Sequence, residues 1–200
     1  VGDPSTTDGS FNFAFLDTAN IARIEVLKGP QSTLWGCDAI GGVVSILTKE
    51  PDEGLGGSAF GEYGSYNTWR GGASIESAND TGDFRLSATG LSSDGISKAD
   101  EDNGNTEDDA YESTTLSAKG GLNLPNEARL ETSLLWNDAE SEYDSYAAGT
   151  QGSIADGDEV TQNETLSGNV SLKLPLLDGR FKNLLMVGYS DIERENFTDG

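Results

Sequence analysis

Hydrophobic and polar positions change their rhythm near Pro51. Before it lie two nearly unbroken apolar runs, Ile21–Leu27 and Gly42–Thr48, joined by the Gly/Pro-rich connection Gly29-Pro30-Gln31-Ser32-Thr33-Leu34-Trp35-Gly36. Continuous runs such as Val43-Val44-Ser45-Ile46-Leu47 predict strands buried on both faces. After Gly54 the period becomes two. Strand-length segments are expected at roughly 55–63, 67–78, 83–92, 114–124, 128–138, 165–174 and 180–192. Along the fourth of these, Leu116, Ala118, Gly120 and Leu122 alternate with Ser117, Lys119 and Asn123. Along the fifth, Leu130, Thr132, Leu134 and Trp136 alternate with Arg129, Glu131 and Ser133. Side chains of a strand point alternately to opposite faces, so each segment presents one apolar and one polar face.

The connections divide into two kinds. Asn79-Asp80-Thr81-Gly82, Pro125-Asn126-Glu127 and Pro175 to Gly179 are tight, whereas the stretches 94–112 and 138–164 are long and acidic. Tight and long alternate, which places all tight turns on one rim and all long loops on the other, the asymmetry of an outer-membrane barrel. Phe84 and Phe181 fall beside tight turns, and Trp136 and Tyr189 beside the opposite rim, where interfacial aromatics belong. Seven strands do not close a membrane barrel, and an open edge is not tolerated in lipid, so the strand count implies further strands. The expected fold is therefore a stretch of all-β transmembrane barrel, about seven antiparallel up-and-down strands over residues 54–200. Residues 1–53 would supply part of a small α+β plug unit. Both ends of the chain read as cut.

Composition narrows the function. The chain has 200 residues, 34% hydrophobic, with 26 glycines and a net charge of −23. Such a charge excludes nucleic acid as a partner, because phosphate binding needs the opposite sign. No histidine is present, which removes the commonest general base and metal ligand, and no nucleophile–base pair stands out. An enzyme is not expected. The single cysteine, Cys37, rules out an internal disulfide and reads as a small buried residue. The longest charge-free apolar run, about Ala39 to Leu47, is far shorter than the ~20 residues of a membrane helix.

The segment from Ile21 to Lys49, containing Arg23-Ile24-Glu25-Val26-Leu27-Lys28-Gly29-Pro30 and Gly36-Cys37-Asp38-Ala39-Ile40-Gly41-Gly42-Val43-Val44, resembles the end of the plug of TonB-dependent outer-membrane receptors. The wording is closest to the cobalamin-receptor and catecholate-siderophore-receptor branches. The resemblance implies Gly29, Pro30, Gly36, Asp38, Gly41 and Gly42 as the plug motif. It also implies that basic residues before the Gly-Pro turn, Lys28 and with it Arg23, meet acidic residues on the inner barrel wall. A solvated strand end is the alternative for Lys28. Further implications are import of a scarce, large nutrient, a siderophore-iron complex, cobalamin or similar, across the outer membrane of a Gram-negative bacterium. The partners would be the TonB complex, through a segment upstream, together with outer-membrane lipid and a small-molecule or metal-chelate substrate. Acidic external loops bind calcium in the cobalamin receptor. The carboxylates nearest to partial calcium motifs here are Asp100, Asp102, Asp138 and Asp144, in stretches that otherwise read as hydrated surface. A rival from another class is a secreted or surface acidic β-rich protein that binds calcium or adheres; it predicts internal repeats and no plug motif.

Overall fold

The computed structural model describes residues 18–35, 39–96, 108–146, 154–177 and 179–198. These residues form two sheets. The first is an antiparallel pair, β1 (Ile21–Lys28) and β2 (Gly42–Thr48), with one helical turn, α1 (Ser32–Trp35), near its tip. The second contains β3 (Gly54–Tyr63), β4 (Trp69–Ala78), β5 (Gly82–Ser93), β6 (Tyr111–Asn123), β7 (Arg129–Tyr146), β8 (Ile154–Leu176) and β9 (Phe181–Thr198). These pair in chain order, each antiparallel to the next, with β3 and β9 at the edges. The result is an up-and-down meander, and the change between sheets falls at residues 49–53.

The β1–β2 hairpin differs from expectation in one respect. Its apolar residues are not covered on both faces: Ile24 is 52% exposed and Val26 62%. Among the described residues each strand has only the other as a sheet neighbour, so hydrogen bonds along the ladder hold the pair while its faces stay open. At the tip the chain returns on itself through Gly29 N–H to Gly41 O (3.2 Å) and Gln31 N–H to Ala39 O (2.8 Å). Gly42 takes φ +149, and a Cβ there would come 2.5 Å from the Leu27 carbonyl oxygen. Only glycine admits both that dihedral and that approach.

In the large sheet the turn chemistry sets the register. Asn79 caps its own turn, its Oδ1 accepting from the backbone N–H of Thr81 and Gly82. The β6–β7 turn has positive φ at both central residues, Asn126 and Glu127, the geometry that matches strand twist in a two-residue hairpin. The β3–β4 connection does the same with Tyr66 and Asn67, which makes it a tight turn on the rim expected to carry only long loops. A second correction concerns the acidic stretch 138–164. Most of it is strand, because β7 runs on to Tyr146 and β8 begins at Ile154. No apolar alternation marks this extension; antiparallel backbone pairing carries it. With 23 residues β8 is roughly 75 Å long, well beyond the ~10 residues that cross a bilayer.

Candidate plug-docking wall

Register sorts the side chains of β3–β9 into two faces of opposite character. On one, Ile75, Leu86, Ala118 and Leu134 oppose one another strand by strand, and so do Leu122, Leu130, Leu172 and Leu185. The groove over the middle of this face is lined mainly by Ala73, Ile75, Leu86, Leu116, Leu134 and Trp136. These side chains remain open to their surroundings, Leu134 being 51% exposed and Val170 50%. Among the described residues only Ala39, Ala139 and Val160 are buried apolar ones, so the sheet has no dry core. An apolar face this extensive, uncovered by protein, is suited to lipid.

The aromatic residues give that face its orientation. Strands tilted by about 40° step the membrane plane by a little over one residue per strand. Trp69 aligns through Ser92 and Glu112 with Glu140, and Trp136 lies four residues from that point, three strands over. Trp136 aligns through Leu166 with Asp191, and Tyr189 lies two residues further, two strands over. The drift is six residues over five strands, the slope of one tilted belt. Phe84 and Phe181 mark a second belt beside the tight turns at 79–81 and 177–180. Along β9 the eight residues from Phe181 to Tyr189 rise roughly 21 Å at that tilt, near the height of an apolar band. At the upper belt Tyr63 and Trp69 meet edge to face, 5.4 Å apart, and the Trp136 indole N–H donates to Glu164 (2.7 Å).

The other face is a polar lattice. Hydroxyls pair across strands at Ser58–Ser74, Ser87–Ser117 and Ser167–Ser190, and Asn137 donates to Ser113 and Thr115. Near the tight-turn rim Arg129 bridges Asp83 (2.5 Å) and Glu131 (2.9 Å), and Lys173 reaches Glu131 (2.7 Å). Gly121 makes this network possible: a Cβ there would collide with the Arg129 Nη2 and lie 2.9 Å from Asp83 Oδ2.

The hairpin sheet docks on this polar face at its open end. Asn20, immediately before β1, accepts from Arg85 Nε (3.1 Å) and donates to Ser117 Oγ (2.6 Å). Arg85, 8% exposed, is held from the other side by Glu76. Glu50, just after β2, pairs with Lys119, and Thr18 accepts from Arg70 Nη2 (3.1 Å). Lys49 N–H to Asn20 O (3.0 Å) ties the two anchor points together.

The sequence-based contact residues stand elsewhere. Arg23 pairs with Glu25 on its own strand (2.7 Å), and Lys28 is exposed at the end of β1 with no ion pair among the described residues. In the described geometry the cations are on the wall and their acceptors at the open end of the hairpin. Nothing in the sequence singled out Asn20, Glu50 or Arg85; their only signal is position, at the ends of the hairpin and on the polar phase of β5. Gly29, Pro30, Gly41 and Gly42 form the tip, whereas Gly36, Asp38, Asp100 and Asp102, and Cys37 with them, lie outside the described residues. Asp138 and Asp144 share β7 six residues apart, roughly 20 Å, so one cation cannot bind both. No group of three side chains able to hold a metal occurs among the described residues.

Residues 2–43 match the TonB-dependent Receptor Plug Domain family. A plug sequence thus runs into a hairpin seated on the polar face of a sheet whose other face is apolar and belted. Along its whole length the chain is similar to TonB-dependent receptors. It is 27% identical over 98% of its length to the vitamin B12 transporter BtuB of Photobacterium profundum, and covers 31% of that protein. It is also 53% identical over 38 residues, 19% of the chain and 6% of the relative, to the iron-regulated outer membrane virulence protein of Vibrio cholerae. The fold matches the crystal structure of the siderophore receptor PiuA from Acinetobacter baumannii with a TM-score of 0.66. That match has 18% identity and spans 88% of this chain and 27% of that one. The chain therefore spans less than a third of the length of BtuB and of PiuA.

Proposed function

We propose that the receptor containing this chain imports a scarce, large nutrient across the outer membrane of a Gram-negative bacterium, with energy from the TonB complex. Its substrate is a corrinoid or an iron chelate, the classes named for its relatives. Residues 54–200 supply wall strands and residues up to about 53 supply plug. The observation that carries this reading is the docking of the β1–β2 hairpin, through Asn20 and Glu50, on the face opposite the apolar one. A hairpin on the apolar face would compete with lipid; on the polar face it obstructs the lumen. Binding and import by such a wall need no catalytic group. The test is growth of a receptor-deficient strain on limiting cobalamin or limiting chelated iron with the full-length receptor supplied. Rescue that depends on both the receptor and TonB supports the proposal. Rescue that persists without TonB, or no rescue on either nutrient by a receptor present at the surface, rejects it.

A further inference from the structure

Four polar-face residues stand directly opposite one another on four neighbouring strands: Glu76 on β4, Arg85 on β5, Lys119 on β6 and Ser133 on β7. Arg85 and Lys119 are like charges in adjacent cross-strand positions, an arrangement that is unfavourable unless carboxylates compensate it. Glu76 compensates Arg85 from within the wall. Lys119 has no such partner on the wall among the described residues; its partner is Glu50, which belongs to the hairpin. The neighbouring network differs, since Asp83 and Glu131 balance Arg129 and Lys173 without help from the hairpin.

When the hairpin leaves the wall, the row is left with one uncompensated positive charge. Arg85 Nε and Ser117 Oγ lose Asn20 at the same moment. The hydroxyls of Ser87 and Ser117, already paired to each other at 2.7 Å, lie beside the two cations. Guanidinium N–H, ammonium and hydroxyl donors around one point make a receptor for an oxyanion, either a carboxylate or a phosphate. The row also shares the level of Phe84 in the lower aromatic belt, at the tight-turn end of the wall.

We propose that Asn20 and Glu50 mask an oxyanion-binding row formed by Arg85, Lys119 and Ser117, and that a solute bearing a carboxylate or phosphate occupies this row once the hairpin has moved. The proposal rests on the import reading for its role, but the row itself can be tested at equilibrium. The probe is radiolabelled inorganic phosphate, dialysed at low ionic strength against the full-length receptor in detergent, with folding verified by heat-modifiable mobility. Glu50→Gln should bind phosphate about tenfold more tightly than the parent, because a charged competitor has been removed. Glu50→Asp should behave as the parent, and Glu50→Gln with Lys119→Gln should lose the gain. Equal binding by the parent and Glu50→Gln, or tightened binding that survives Lys119→Gln, overturns the proposal. No transport step enters this readout, so its failure would leave TonB-dependent growth untouched, and a failure of growth would leave the row standing.

Discussion

Replacing a lipid-facing residue by arginine should cost stability according to its depth, and the register supplies the depths. Val170 opposes Thr132 and Val187 on the apolar face and lies about midway between the two aromatic belts, roughly 8–10 Å from each. Val170→Arg in the full-length receptor should destabilise by about 2–4 kcal/mol, the midplane cost in a barrel. Leu134 is two residues from Trp136, roughly 5 Å inside the belt, so Leu134→Arg should cost less, since its guanidinium reaches the interface. Asn169 is the next residue to Val170 but faces the other way, donating to Ser133 Oγ at 2.6 Å. Asn169→Arg should cost about 1 kcal/mol, the worth of that hydrogen bond, because its new charge meets lumen water. The assay is equilibrium folding into phospholipid vesicles with urea, followed by fluorescence and heat-modifiable mobility. An Asn169→Arg penalty as large as that of Val170→Arg would refute the assignment of faces. Equal penalties at Leu134 and Val170 would refute the assigned depth.

Three more outcomes follow from specific contacts. Gly121→Ala should displace Arg129 from Asp83 and destabilise by about 1–3 kcal/mol, visible in the same folding assay; a neutral result would mean that the pair re-forms elsewhere. Asn20→Ala removes one hydrogen bond to a charged group and one to a hydroxyl, so amides of the β1–β2 hairpin should exchange at least tenfold faster, while those of β5 and β6 keep their protection. Asp138→Asn and Asp144→Asn should act independently on any calcium response of the receptor, because the two residues are too far apart to share one cation; a double variant no different from either single one would contradict the β7 register.

Some of this architecture was legible in the sequence because burial writes a period. Along β6, Leu116, Ala118, Gly120 and Leu122 alternate with Ser117, Lys119 and Gly121, and both faces came out as the pattern predicts. The same rule fails above the membrane. Between Asp138 and Tyr146 the sequence is almost wholly polar, so no apolar phase exists to betray a strand, although the backbone ladder continues. The β3–β4 turn was missed because its two positive-φ residues are Tyr66 and Asn67, without the glycine that usually signals this geometry. The docking contacts were invisible for a third reason. Asn20 and Ser117 are separated by 97 positions, and an ordinary Asn or Ser acquires its role only when the hairpin meets the wall.

Paired cysteines show directly whether the hairpin sits on the lumen face of a membrane wall. In a Cys37→Ser background of the full-length receptor, held in outer membranes, Asn20→Cys is combined with either Ser117→Cys or Ala118→Cys and treated with a short bifunctional thiosulfonate. Asn20 and Ser117 are in hydrogen-bond contact at 2.6 Å, whereas Ala118 points to the opposite face between Leu86 and Leu134. Efficient cross-linking of the 20–117 pair and none of the 20–118 pair is expected, with the lone cysteine at 118 labelled by lipid-soluble but not by water-soluble maleimide. Cross-linking of 20 to 118, or ready labelling of 118 from water, would contradict docking of the hairpin on the lumen face.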